Sequence, residues 1–141
     1  MPLNLGAFSA SGSTVDVNVA GVLTIEHLNA PNANVTITTT DDVLDADELP
    51  SATQPDATAN ITARNLTIDV TTNRGTVGTA SNPLEINTSG PNNGQLDINS
   101  SLGIWVAETD GDLRVGAVDS SAGSVTLWAD GSILDLSLIH I

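Results

Sequence analysis

Residues 84–98 read Leu84-Glu-Ile86-Asn-Thr-Ser-Gly-Pro-Asn-Asn-Gly-Gln-Leu96-Asp-Ile98. Two short runs, Leu84-Glu-Ile86-Asn and Leu96-Asp-Ile98-Asn, alternate apolar with polar residues. Alternation at period two puts the apolar side chains on one face of an extended chain. Each run therefore predicts a short strand with one buried face. The segment between them, Ser89-Gly-Pro-Asn-Asn-Gly94, is built of turn-formers.

The same pattern extends outward in both directions. Val15-Asp-Val17-Asn-Val19, Val35-Thr-Ile37-Thr and Leu66-Thr-Ile68-Asp-Val70 precede it. Ile104-Trp-Val106, Leu113-Arg-Val115 and Val125-Thr-Leu127 follow. Turn signals separate them at Ser11-Gly12, Asn73-Arg-Gly75, Asp110-Gly111, Ala122-Gly123 and Asp130-Gly131. No segment keeps a 3.6-residue period over three turns. The one helix candidate, Asp41–Leu49, is short and is closed by Pro50.

A longer period overlies the alternation. Leu66 to Leu84 is 18 residues, Leu84 to Ile104 is 20 and Ile104 to Val125 is 21. Val15 to Val35 is 20 and Leu96 to Leu113 is 17. A return every 17–21 residues matches one rung of a parallel β-helix, in which short strands joined by turns stack on their equivalents. A sandwich would show regular strand spacing without this second period. The expected fold is an all-β parallel solenoid. The stretch 47–59, Asp-Glu-Leu-Pro-Ser-Ala-Thr-Gln-Pro-Asp-Ala-Thr-Ala, has two prolines and no alternation. It predicts a loop extruded between rungs.

Composition agrees. The 141 residues contain only three aromatics, Phe8, Trp105 and Trp128. Stacked aliphatic rungs fill a narrow core without large rings. Three arginines (Arg64, Arg74, Arg114) stand against 17 acids, for a net charge of −14. That balance argues against nucleic-acid binding and against docking on an anionic membrane, both of which need cations. No apolar run reaches the ~18 residues of a membrane-spanning helix. Cysteine is absent, which removes disulfides, thiolate metal sites and a cysteine nucleophile.

The order of motifs in the second half adds a likeness. Asn65-Leu-Thr-Ile68 is followed by Gly75-Thr-Val-Gly-Thr-Ala-Ser-Asn-Pro-Leu-Glu-Ile86. Next come Gly103-Ile-Trp-Val-Ala-Glu108, Gly111-Asp-Leu-Arg-Val-Gly116, Gly123-Ser-Val-Thr-Leu127 and Ala129-Asp-Gly-Ser-Ile-Leu-Asp135. This series, spanning about Ile61 to Asp135, resembles the repeat region of filamentous-haemagglutinin-like large bacterial exoproteins and adhesins. Residues 1–60 match only in style. The resemblance implies a right-handed parallel β-helix from the shaft of a secreted or outer-surface protein. Its partners would be the adjoining rungs of the same polypeptide and, at the surface, host or surface glycans. The family's secretion domain is not recognisable here, so an interior piece is expected. The tail Leu136-Ser-Leu-Ile-His-Ile141 equals the translation of a transposase end used in sequencing libraries. The native stretch is therefore expected to be residues 1–135, with 136–141 an adapter translation.

Several residue groups carry possible chemistry. Asp41, Asp42, Asp45, Asp47 and Glu48 form the densest charge, and closely spaced hard oxygens suit Ca²⁺. The EF-hand order is absent, and a solvated acidic loop is the simpler reading. Asp110-Gly-Asp112 is a second calcium candidate, equally readable as a turn. Adjacent Asp41 and Asp42 would face opposite ways if extended, which does not suit paired-carboxylate glycoside cleavage. His27 has no serine–acid pattern around it. The threonines at 36, 38 and 40 form a row on one rung only. Trp105 and Trp128 flank inward aliphatics and are expected to point outward on neighbouring rungs, a small stacking surface for a sugar. The sequons at Asn34, Asn60, Asn65, Asn87 and Asn99 are expected by chance in this composition. No catalytic residue and no cofactor other than possible Ca²⁺ is assigned. The expectation is a non-enzymatic adhesin shaft, with a calcium-dependent binding module and a polysaccharide-active enzyme as alternatives.

Overall fold

The computed structural model describes residues 2–46, 58–90 and 93–136. Eleven strands are present among these: β1 (Leu3–Ser9), β2 (Thr14–Val19), β3 (Leu23–Thr39), β4 (Val43–Asp45), β5 (Ile61–Val70) and β6 (Leu84–Asn87). β7 (Leu96–Ser100), β8 (Ile104–Glu108), β9 (Leu113–Ser120), β10 (Val125–Ala129) and β11 (Ile133–Asp135) complete the set. Every pairing is parallel. Parallel neighbours cannot be joined by a tight hairpin. Here the chain returns by coiling, and it forms a β-solenoid of about six turns. Coil 1 spans 3–19, coil 2 spans 23–39, coil 3 spans 43–70, coil 4 spans 77–100, coil 5 spans 104–120 and coil 6 spans 125–135.

Each coil has two sides. One side stacks β1, the first half of β3, β4 with the start of β5, β6, β8 and β10. The other stacks β2, the second half of β3, the second half of β5, β7, β9 and β11. The two sides join into one sheet because β3 and β5 run through the bend between them.

Equivalent residues form columns about 4.8 Å apart from coil to coil. Leu3, Leu23 and Val43 begin one column, which continues through bridges to Val77 and Ile104 and ends at Val125. Phe8, Leu28, Ile61, Ile86, Glu108 and Ala129 form a second. Val15, Val35, Leu66, Leu96, Val115 and Asp135 form a third. Leu23, Ile37, Leu66, Ile68, Leu84, Ile86 and Leu96 are wholly buried. Small aliphatics stacked on their own kind thus account for the missing aromatics.

The bends stack as well, through polar side chains. Thr72 Oγ1 donates to the Thr40 carbonyl at 2.6 Å, and Ser101 Oγ donates to the Thr72 carbonyl at 2.8 Å. At the other bend, Asn65 Nδ2 donates to Asn34 Oδ1 at 2.8 Å, and the Gln95 amide donates to Asn65 Oδ1 at 2.9 Å. The sequon asparagines Asn34 and Asn65 are therefore a ladder. Such ladders repeat because parallel in-register coils bring like residues together.

Three sequence expectations need correction. Within the helix candidate Asp41–Leu49, Val43–Asp45 is strand β4, because Val43 fills the column between Leu23 and Val77. Strand β1 and the first half of β3 were not legible, since Gly6, Glu26 and His27 interrupt their alternation. The period also misaligns two series. Leu66 pairs with Leu96, not with Leu84, which lies on the other side of the coil. Leu96 pairs with Val115, not Leu113. Coils 3 and 4 are longer than 21 residues, since Val35 pairs with Leu66 and Leu66 with Leu96. The described strands of both coils nevertheless stay in register with their neighbours. Most of the loop expected at 47–59 lies outside the described residues, as does 137–141.

Candidate functional site

The acidic residues singled out by sequence do not converge. Asp41 and Asp42 sit at the bend entering coil 3. Asp41 Oδ1 accepts the Asp42 amide at 3.1 Å, and its Oδ2 meets the Arg74 guanidinium at 3.5 Å. Asp42 Oδ1 accepts the Thr76 amide at 2.8 Å and the Thr76 hydroxyl at 3.2 Å. Both carboxylates thus tie coil 3 to the bend of coil 4. Asp45 turns inward, in the phase of Val43, and is buried. Asp47 and Glu48 lie outside the described residues.

Asp110 and Asp112 flank Gly111, whose φ of 71° is the left-handed conformation that glycine tolerates best. Asp112 Oδ1 accepts the Ser132 amide at 2.8 Å, and the Gly131 amide donates to the Gly111 carbonyl at 2.6 Å. This turn is stacked on the Asp130-Gly131 turn of the next coil, which is a structural use of Asp112. Among the described residues no group of three or more histidine, cysteine or acidic side chains gathers as a metal site would require.

The buried polar groups lie elsewhere. Asn60 and Asp45 both belong to coil 3 and are 15 residues apart in sequence. Asn60 Nδ2 donates to Asp45 Oδ1 at 2.6 Å, and it lies 3.3 Å and 3.2 Å from the carbonyls of Ile25 and Glu26. Asn60 Oδ1 accepts the amide of Glu85, itself wholly buried, at 2.9 Å. One amide side chain therefore links coils 2, 3 and 4.

Glu108 is the second buried group. It occupies an inward position in the column of Leu28, Ile61 and Ile86, and only 3% of its surface is exposed. Its carboxylate accepts the Thr88 amide at 2.9 Å and 3.1 Å and the Thr88 hydroxyl at 2.6 Å. Burial raises its pKa from the usual 4.5 to about 7, outweighing the donors on Thr88 and Ser89, while nearby Asp110 adds to the rise. The sequence signal was present: Ile104, Val106 and Glu108 share one phase, so an acid falls where an aliphatic belongs. Asp45 after Val43 carries the same signal.

The outer surface holds a shallow groove of about 380 Å³ on the β5–β7–β9 side, lined by Thr67, Asp69, Asp97, Asn99 and Asp119 among others. Two of its carboxylates are engaged: Asn99 Nδ2 donates to Asp69 at 3.0 Å, and Gln95 Nε2 and the Ala117 amide donate to Asp97 at 3.0 Å and 2.8 Å. The threonine row continues at one position for a single coil, Thr36 on Thr67, before Asp97 takes its place, and Thr38 stacks on Asp69. Trp105 and Trp128 fall on adjacent coils, Trp105 beside Thr126 and Trp128 beside Ala107, and both are partly exposed. The Trp105 ring lies against Gly103, where any Cβ would overlap it. His27 Nδ1 lies 3.3 Å from the Ala59 carbonyl at the same coil junction as Asn60.

Fold and site together define a parallel β-solenoid whose buried polar groups serve the stacking of coils. Comparison with protein-family models, curated proteins and solved structures gives no match for the chain.

Proposed function

We propose that the chain is a structural shaft segment of a secreted or cell-surface bacterial adhesin, in which length is gained by stacking coils. The observation that carries this reading is the continuity of the columns. The Leu3 column and the Val15 column each pass through all six coils. Turn residues vary around them. The likeness of Ile61–Asp135 to filamentous-haemagglutinin-like repeats supports the same reading. In such a shaft each coil satisfies its neighbours' backbone groups, and stability is a sum of coil and interface contributions. Acidic outer faces keep a long rod soluble and oppose lateral association.

The test is a tandem polypeptide carrying residues 1–135 twice in succession. A shaft segment gives a rod of doubled length by small-angle scattering, with one melting transition above that of the single chain. Two independent units melting at the single-chain temperature would overturn the reading.

A further inference from the structure

We propose that Asn93 is a latent modification site, where the backbone nitrogen of Gly94 closes on the Asn93 side chain to form a succinimide that water opens to aspartate or isoaspartate, and that the stacking of coils 3, 4 and 5 holds this reaction back. The site needs only the folded turn of coil 4 and its two neighbours, so it stands apart from the shaft reading above.

Asn93-Gly94 is the one asparagine–glycine pair in the 141 residues. The fold calls for each member separately. Asn93 has a φ of 47°, a left-handed conformation that asparagine tolerates better than most residues with a side chain. Gly94 is buried, and any Cβ there would overlap the carbonyl oxygen of Arg64. Together they make a pair prone to ring closure, because a residue without a side chain leaves its own nitrogen unhindered. Asn93 itself is exposed, so ammonia can leave and water can enter.

The chemistry needs only water and solvent base. The Gly94 N–H proton passes to solvent, and the nitrogen bonds to Asn93 Cγ. The side-chain NH2 group takes a proton from water and leaves as ammonia, which completes a five-membered ring. Water then breaks one of the two C–N bonds of that ring. Opening at Cγ gives aspartate. Opening at the Asn93 backbone carbonyl gives isoaspartate, in which the chain runs through the side chain.

In the folded chain the attacking nitrogen is engaged. The Gly94 amide donates to the Thr88 carbonyl at 2.8 Å, and the Asn93 amide donates to the Gly90 carbonyl at 3.0 Å. The Gln95 amide donates to Asn65 Oδ1 at 2.9 Å, and the Gln95 carbonyl accepts the Leu66 amide at 3.0 Å. Thr88 is held in turn, since its amide and hydroxyl both donate to the buried Glu108 carboxyl of coil 5. Ring closure requires Gly94 to lose its proton and the peptide unit between 93 and 94 to turn toward Cγ. The bond to Thr88 opposes the first step. The Arg64 carbonyl and the pinned Gln95 oppose the second. The reaction therefore proceeds from a locally opened turn. Isoaspartate adds one backbone atom immediately before Gly94, where the packing leaves no slack. Modification is thus a one-way loosening of coil 4.

The experiment incubates the full chain in mildly alkaline buffer, folded or in guanidinium chloride, and follows each asparagine by peptide mass spectrometry. In denaturant Asn93 is expected to convert first. In the folded chain its conversion is expected to be slower by about tenfold or more, the factor set by the free energy of opening the turn. Thr88→Val removes the hydroxyl bond to Glu108, and Asn65→Ala removes the acceptor of the Gln95 amide. Whichever variant keeps a cooperative circular-dichroism melt is expected to convert faster than the unaltered chain, in step with faster hydrogen exchange at the Gly94 amide. Chain modified in denaturant and then refolded is separated into its two products, and the isoaspartyl form is expected to melt below the aspartyl form. Equal rates in folded and denatured chain overturn the inference. So does a variant whose Gly94 amide exchanges faster while Asn93 converts no faster, or an isoaspartyl form that melts with the aspartyl one.

Discussion

Glu108 carries the clearest single-residue consequence. Its folded pKa of about 7 lies above the ordinary 4.5, so the folded chain holds this proton more tightly than the unfolded chain. The contribution is complete below about pH 4.5 and is lost as the pH rises to about 7. Replacing Glu108 with Gln removes that loss. The melting temperature of Glu108→Gln relative to the unaltered chain is expected to rise steadily between pH 4.5 and 7 and to level off above. A difference independent of pH would show that the buried carboxyl is not titrating there. Gly94 is a second such position. A Cβ there would overlap the carbonyl oxygen of Arg64 in the coil below and come within 3.0 Å of the Thr88 carbonyl. Both neighbours are backbone and cannot swing aside. Gly94→Ala is expected to cost at least about 2 kcal/mol in chemical denaturation, at the upper end of ordinary overpacking.

At the scale of the element, what matters is a strand's place in the stack. Leu66 of β5 lies in the middle of its column with Val35 below and Leu96 above, and it has no exposed surface. Leu66→Ala is expected to cost about 2–5 kcal/mol, because a site held by two neighbouring coils collapses poorly. Val15 of β2 stands in the same column but at its end, partly exposed. Val15→Ala is expected to cost clearly less, and equal losses at both sites would contradict the column description. Strands were legible where one phase of the alternation is kept, as in Leu66-Thr-Ile68-Asp-Val70. They were illegible where the chain rounds a bend. Leu23 and Ile25 face inward in one phase, Leu28 and Ala30 in the other, with Glu26 and His27 at the change. Period-two reading cannot survive that shift.

For the whole molecule, the net charge of −14 is spread along the stack and repels itself. Sodium chloride is expected to raise the melting temperature by screening. Calcium is expected to add nothing beyond magnesium at equal ionic strength, since Asp41, Asp42 and Asp112 are each bonded to a separate part of the frame. A calcium-specific rise in the melt would assign a cation site that these contacts do not suggest.

The amino-acid sequence by itself determined the strand type, the absence of a large aromatic core, the stacking of coils and an approximate repeat, because alternation and turn chemistry are local. Only the tertiary structure decided which strands are equivalents. Coils 3 and 4 exceed the repeat, yet Val35, Leu66 and Leu96 still pair in one column. It also decided the fate of the acids. Spacing made Asp41 to Glu48 look like one cluster, whereas the bend turns Asp41 and Asp42 toward Arg74 and Thr76 and folds Asp45 into the interior. Glu108 and Asn60 gained their weight from contacts with residues 20 or more positions away, Thr88 for one and Ile25 and Glu85 for the other. Contacts of that range exist only once the coils are stacked.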